Sequence, residues 1–274
     1  LIKEQVRDAV PHGEVVKVVS RTLELEARLL VGADGYLSFV AKKFGLEAPG
    51  ERRVIPTVQY LMARVDPPDA DLAYFYLGNE VAPGGYVWVF PKDGSLANVG
   101  IGAQRVPAKH YLDKFVKAHP EMFARAKILE FRGAAVTIGG MLRRIVADRV
   151  MLVGEAAGQV IPMTGGGIHT SIAGGKIAAE VAAKSLEQGD LSERALQEYR
   201  RRYDEYWGRR IRDSLRVLNV IEKLSDDELD QLAEILTPED VVKLANGEDV
   251  AKIAVKFLKH PIFSIKLAQA LLSS

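Results

Sequence analysis

The stretch from Asp148 to Ile168 constrains this chain more than any other. Asp148-Arg-Val-Met-Leu-Val-Gly154-Glu155-Ala-Ala-Gly158 opens as a short apolar strand, Val150 to Val153, and stops at a glycine with a carboxylate just past it. Pro162-Met-Thr-Gly165-Gly166-Gly167-Ile168 comes next, and a small-residue segment then predicts a helix from Ile168 to Leu186. Glycines that open a helix leave its first N–H groups and positive dipole end with no side chains over them. Such an end can hold an anion or an electron-rich carbonyl edge. Gly174 and Gly175 fall inside the helix, where glycine costs stability, so a packed neighbour or a ligand must need the backbone close. An ordinary βα unit with a glycine-rich turn has the same pattern, and both readings stand on this stretch alone.

At 274 residues the chain suits one large or two intimately connected domains. A net charge of +1 gives no global reason to expect nucleic acid as a partner. With no cysteine, disulfides, thiolate metal sites and catalytic thiols are excluded within these residues. No apolar run approaches the roughly 18 residues of a membrane span, and no signal-peptide pattern opens the chain, so a cytoplasmic location is expected.

Residues 1–31 predict a β-meander, with strands over Leu1 to Val6, Glu14 to Val19 and Thr22 to Leu30 and a turn at Pro11-His12-Gly13. The last strand runs into Gly32-Ala33-Asp34-Gly35, with Ser38 just beyond, and then a helix from Leu37 to Phe44. Asp-Gly is an ordinary turn signal. A carboxylate at a strand's C-terminal end before a helix also stands where open α/β sheets bind ligands.

From Val54 the pattern becomes strands with short turns: Val54 to Val65, Leu72 to Leu77, Tyr86 to Phe90 and Leu96 to Ile101. Short connections imply antiparallel pairing. In Tyr86-Val-Trp88-Val-Phe90 the three rings point from one sheet face. That face is either an inner layer covered by the helix at Lys109 to Ala118 or an apolar wall for a ligand, and a row of large rings leans to the ligand. Gly100 and Gly102 sit in the neighbouring strand, where glycine often marks close approach of another group.

Beyond the central stretch the chain turns helical. Leu191 to Leu224 predicts one amphipathic helix, with Tyr199, Tyr203, Tyr206 and Trp207 between arginines whose field acidic neighbours largely cancel. Asp226 to Leu236 and Pro238 to Leu244 begin at Ser225 and Thr237 as caps. Val250 to Leu258 and Ile262 to Leu272 form a tail broken at Pro261, basic after Asp249, that either docks on the protein or lies against an anionic membrane surface. The five histidines have no metal-ligand spacing. His169 alone draws interest, one residue past the first position of its helix.

Gly32-Ala33-Asp34-Gly35 with Ser38 resembles the second flavin fingerprint of the p-hydroxybenzoate-hydroxylase class of FAD proteins, and Asp148 to Gly158 with Pro162 and Gly165-Gly166-Gly167-Ile168 resembles the third. Tyr86-x-Trp88-x-Phe90-Pro91, eight residues, then Gly100-x-Gly102 is similar to the signature of the geranylgeranyl reductase family, which includes archaeal digeranylgeranylglycerophospholipid reductases. The resemblance covers nearly the whole chain. It implies FAD, held by Asp34, Gly35, Gly154, Glu155, Pro162, Gly165, Gly166, Gly167 and Ile168, with the carboxylate on the ribitol and the helix N-terminus at the pyrimidine edge. It implies a substrate wall of Tyr86, Trp88, Phe90, Pro91, Gly100 and Gly102. Glu155 stands where the family usually has Asp, which keeps the charge and lengthens the reach. The family begins with a Gly-x-Gly-x-x-Gly βαβ unit that also carries its reactive cysteine region, and this sequence contains no such unit.

The expected fold is therefore α/β, α+β in detail: an FAD-binding Rossmann-like domain lacking its first βαβ (1–53 and 141–190), an inserted antiparallel-sheet substrate domain (54–140) and a C-terminal helical region (191–274). The motifs at Asp34 and Glu155 should converge. The resemblance implies an FAD-dependent oxidoreductase that saturates C=C bonds of geranylgeranyl chains in membrane-lipid precursors. Its partners would be an isoprenoid lipid and an electron donor, NAD(P)H or a reduced carrier, with peripheral membrane contact through the C-terminal helices. A flavin-dependent aromatic hydroxylase on the same scaffold and a non-catalytic fragment or binding module are the alternatives.

Overall fold

A computed structural model describes residues 1–92 and 94–257. The expected helix from Ile262 to Leu272 lies outside them. The chain divides into two compact units: Leu1–Arg53, Thr137–Val217 and Val242–Ala254 form the first; Val54–Val136 and Leu218–Val241, with the described residues from Val255, form the second.

In the first unit, β1 (Asp8–His12), β2 (Val15–Val19) and β3 (Glu24–Ala27) make an antiparallel meander. The first strand begins seven residues later than expected. Pro11 lies inside it, and an edge strand tolerates a residue without an N–H. The expected strand from Thr22 to Leu30 breaks at Arg28-Leu29, and its end becomes β4 (Leu30–Gly32) in another sheet. There β4 runs parallel to β11 (Val150–Leu152), with Gly32 opposite Leu152, and β10 (Val146–Ala147) flanks β11 antiparallel. Val150, Met151 and Leu152 are fully buried, the unbroken apolar run of a strand covered on both faces. Around them pack α1 (Phe39–Lys43), α4 (Ile168–Gln188) and α5 (Glu193–Tyr203) through Val40, Ala178, Val181, Leu196, Tyr199 and Tyr203. Gly32 lets α1 sit directly on β4, since a Cβ there would lie 2.8 Å from that of Val40.

The long helix expected from Leu191 to Leu224 is three pieces: α5, a π-helical turn at Asp204–Gly208, and α6 (Arg209–Ile221). The Asp204 carboxylate, held by Arg200 Nε at 2.7 Å and Arg212 Nη1 at 3.0 Å, lies over Gly208, where a Cβ would come 1.9 Å from Oδ1.

The second unit is built on a five-stranded sheet in the order β6-β7-β8-β5-β9: β5 (Val54–Ala63), β6 (Tyr74–Leu77), β7 (Tyr86–Pro91), β8 (Leu96–Gly102) and β9 (Lys127–Thr137). β9 escaped the sequence reading because Gly133-Ala-Ala interrupts its alternation. One face is covered by α2 (Ala108–Ala118) and α3 (Pro120–Phe123), whose Leu112, Phe115, Met122 and Phe123 meet Tyr60, Met62, Val87, Val89, Val99 and Ile101. At the start of α7 (Asp226–Ile235), the expected cap Ser225 forms a capping box with Glu228. Two more helices, α8 (Pro238–Ala245) and α9 (Val250–Phe257), complete the described chain.

Candidate functional site

Because Gly32 and Leu152 are partners in the parallel pair, the Asp34 and Glu155 motifs leave the sheet side by side. Past β11 the chain makes a 3₁₀ turn, Gly154–Ala157, entered at φ +63° by Gly154 and left at φ +73° by Gly158. Only glycine adopts such angles without strain. At Gly158 the space is closed as well, because a Cβ would meet the Gly140 carbonyl at 2.3 Å. Arg52 holds the turn from outside, Nη1 donating to the Glu155 carbonyl and Nη2 to the Ala156 carbonyl, both at 2.8 Å. The guanidinium is itself paired with Glu47 at 3.0 Å, nearly out of solvent.

A buried polar network fixes the turn from within. Gln159, fully buried, accepts from Gly154 N–H at 2.7 Å and donates to the Tyr199 hydroxyl at 2.7 Å. Tyr199 donates to the Leu152 carbonyl at 3.0 Å, and burial pushes its phenol pKa up, so it stays a neutral donor. Thr170 donates to the Gln159 carbonyl at 2.5 Å, tying in the first turn of α4. Gly174 is the opening for this amide, since a Cβ there would lie 2.1 Å from Gln159 Oε1. Gly175, by contrast, faces open space. Neither Gln159 nor Arg52 stood out in the sequence; the glycine inside α4 was the available signal.

The predicted residues fall as follows. Asp34 caps α1: Oδ1 accepts from Ser38 Oγ at 2.6 Å and Oδ2 from Val40 N–H at 3.1 Å. Gly35 takes φ +76° in that turn. Glu155 Oε1 accepts from Thr137 N–H at 2.8 Å, so one oxygen serves the protein's own backbone. Pro162 is buried, and Gly165, Gly166 and Gly167 line the approach to α4, with Gly165 at φ +65°. α4 begins at Gly167 with no side-chain cap and no acid in its first turn. Ile168 is 81 % exposed there, and the His169 ring sits 5.1 Å from that of Trp207 on the π-helical turn.

In the second unit the aromatics do not form the helix-covered layer. Val87 and Val89 are fully buried against α2, and Tyr86, Trp88 and Phe90 stand half-buried on the opposite face. Phe75 joins them from β6, 5.5 Å from Tyr86 and 5.3 Å from Phe90 between ring centroids. Phe75 is 53 % exposed and its neighbour Leu77 46 %. Gly100 lies opposite Trp88 and Gly102 opposite Tyr86, and Pro91 ends β7. Burial also pushes the Tyr86 phenol pKa up.

Parallel β4 and β11, the glycine-rich entry to α4 and the antiparallel sheet define the fold of FAD-dependent oxidoreductases. A crystal structure of a geranylgeranyl bacteriochlorophyll reductase-like protein from Thermoplasma acidophilum matches with a TM-score of 0.81 at 29% identity, covering 94% of this chain and 69% of that one. The flavin-dependent halogenase CmlS shares the fold, with a TM-score of 0.64 at 18% identity, over 93% of this chain and 54% of its own. The family model of the geranylgeranyl reductase catalytic domain matches residues 54–136. The digeranylgeranylglycerophospholipid reductase of Methanospirillum hungatei is 34% identical over 281 residues, 98% of this chain and 67% of that protein. Its counterpart in Methanocaldococcus jannaschii is 37% identical over 235 residues, 84% of this chain and 60% of the relative. The chain belongs to the geranylgeranyl reductase family. It spans about three-fifths to two-thirds of the length of the curated relatives it matches.

The first unit fits a flavin on its own geometry. The uncapped start of α4 offers free N–H groups to an electron-rich edge. Thr137, whose N–H holds Glu155, has a buried hydroxyl that finds no hydrogen-bond partner among the described residues.

Proposed function

We propose that the protein is an FAD-dependent reductase that saturates C=C bonds in the geranylgeranyl chains of membrane-lipid precursors. The observation that carries this reading is the aromatic face of the second unit, left half-exposed by a sheet whose main core lies on its other side. Gly154, Glu155, Pro162, Gly165, Gly166, Gly167 and Ile168, with Asp34 and Gly35, would hold the cofactor. Reduced FAD, when bound, supplies the hydride for one alkene carbon while the other takes a proton. The protein's part is to bind and orient. Glu155 has one carboxylate oxygen beyond its Thr137 bond to offer a ribitol hydroxyl. The start of α4 favours negative charge at its N–H groups. Tyr86, Trp88, Phe90, Pro91, Gly100 and Gly102 offer an unactivated alkene chain rings and bare backbone with little to solvate water. NAD(P)H or a reduced carrier would provide the electrons, and the C-terminal helices would give peripheral contact with the membrane. Among the described residues, no helix is long and apolar enough to cross a membrane.

The test is a flavin absorption spectrum of the purified protein, followed by mass spectrometry of geranylgeranyl phospholipid incubated with it and a reductant. Each reduced bond should add two hydrogens. Replacing Glu155 by Ala should weaken FAD binding about ten- to a hundredfold, the loss of one charge-assisted hydrogen bond. Unchanged affinity would remove Glu155 from the site, and a lipid recovered unreduced by flavin-loaded protein would refute the activity.

A further inference from the structure

Trp88 does more than extend a row of rings. Its indole lies flat across β8, where a Cβ on Gly100 would come 2.2 Å from Cζ2 and 2.4 Å from Cε2. It spans that strand to reach β5, and Nε1 donates to Gln59 Oε1 at 3.1 Å. The register makes this possible, because Trp88, Gly100 and Gln59 are successive partners across β7, β8 and β5. The adjacent row on the same face is Tyr86, Gly102 and Thr57. There the atoms nearest to a Cβ on Gly102 are the side chains of Ile55 and Thr57, at 3.3 and 3.5 Å, and no ring among the described residues lies over the strand. The Thr57 hydroxyl turns away to the Ala134 carbonyl. One row is thus crossed by an indole and the next is not.

We infer that Gln59 is a positioning residue: it pins Trp88 as a bar across the sheet and sets how far along the face an isoprenoid chain can lie. This rests on the reading that the face takes such a chain. Folding does not call for the bond, since the unit's core lies on the other side of the sheet, and one neutral hydrogen bond at a half-exposed site contributes little to stability. A polyene, however, offers nothing to hydrogen-bond. Its register can come only from the shape of the wall, and small misplacements of a reacting carbon are costly in rate. An indole free to rotate about its side-chain bonds would make a poor wall. Gly100 supplies the floor that lets it lie flat, and Gln59 supplies the latch.

The experiment compares Gln59→Met, which keeps the volume but loses the acceptor, with Gln59→Glu, which keeps the acceptor. Both are assayed for turnover of geranylgeranyl phospholipid and for the distribution of partly saturated products. With only two tryptophans in the chain, Trp207→Phe isolates the emission of Trp88. Gln59→Met should lower kcat about tenfold with KM changed less than threefold, accumulate partly saturated lipid and shift the Trp88 emission, at an unchanged denaturation midpoint. Gln59→Glu should lie closer to the parent in all four. If Gln59→Met keeps the parent's kcat, products and emission while Trp88→Ala loses turnover, Gln59 positions nothing and the lipid face stands. Trp88→Ala that also keeps full turnover would overturn the lipid face itself, and the inference with it.

Discussion

The strand-end turn of the first unit and the aromatic face of the second use glycine for opposite ends. At the turn, glycines let the protein close on itself. Gly158 admits the Gly140 carbonyl, and Gly174 admits the Gln159 amide, which finds partners in the Gly154 N–H and the Tyr199 hydroxyl. At the sheet, Gly100 admits an indole from the outer face, where the rings around it stay half-exposed. The first arrangement gives rigidity, because an unpaired group in that network would cost its full desolvation. The second gives a surface whose shape is set while its area remains available. Fixed donors suit the cofactor site proposed for the first, and uncovered rings suit the apolar-chain site proposed for the second.

The sharpest test of this contrast lies within α4. Gly174→Ala should cost about 2–4 kcal/mol, because the methyl group would displace a buried amide that has two partners to lose. Gly175→Ala, one residue on, should gain about 0.5–1 kcal/mol from helix propensity, there being nothing within 4 Å of the new Cβ. Urea midpoints of the two variants should fall on opposite sides of the parent. Equal effects would mean that Gln159 is not held as described. Tyr199→Phe probes the same network more gently. It removes the donor to the Leu152 carbonyl and the acceptor for Gln159, for a loss of about 1–3 kcal/mol.

At the aromatic face the expected loss is smaller. Trp88→Ala in a packed core would cost roughly 3–5 kcal/mol. A half-exposed indole with its rim free should cost about 1–2 kcal/mol, with the larger effect on lipid turnover. A loss as large as that of Gly174→Ala would erase the distinction between the two regions.

The sequence carried the motifs better than the supports beneath them. Strand ends, glycine clusters and the alternation in Tyr86–Phe90 are local, so the convergence at Gly32 and Leu152 and the shared face of three rings could be read directly. Which side of the sheet α2 covers could not, because Val87 and Val89 are as compatible with an outer face as the rings are with an inner one; only the packing of Leu112 and Phe115 decides. The break in the long helix was hidden for a similar reason. Asp204, Gly208 and Arg212 read as an ordinary charged helix until the carboxylate is seen lying over the glycine. Asp34 shows the limit from the other direction. Its position at a strand end is legible, but its carboxylate is engaged in capping α1, a bond made six residues away.

The smallest expected effect separates the two regions by pH. Asp226, the first residue of α7, accepts from the N–H groups of Asn79 and Glu80 and from the Asn79 amide, tethering the turn after β6 at the edge of the aromatic sheet. Those bonds favour the charged carboxylate, the Asn79 N–H most, and hold its pKa below the ordinary aspartate range. A carboxyl whose folded pKa is depressed stabilises the protein fully above its unfolded value, about 3.9, and loses that contribution as pH falls through the folded value. Asp226→Asn should therefore be less stable than the parent at pH 7, by a small margin given solvent screening at this half-exposed site. The gap should close as pH is taken below about 4. Tyr199→Phe should show no such convergence, since the group it removes stays neutral throughout that range. Urea midpoints for both variants from pH 7 to 3 check the pair. A constant gap for Asp226→Asn would mean that the tether does not depend on charge, and the edge of the aromatic sheet would then be held like the buried turn, by neutral bonds alone.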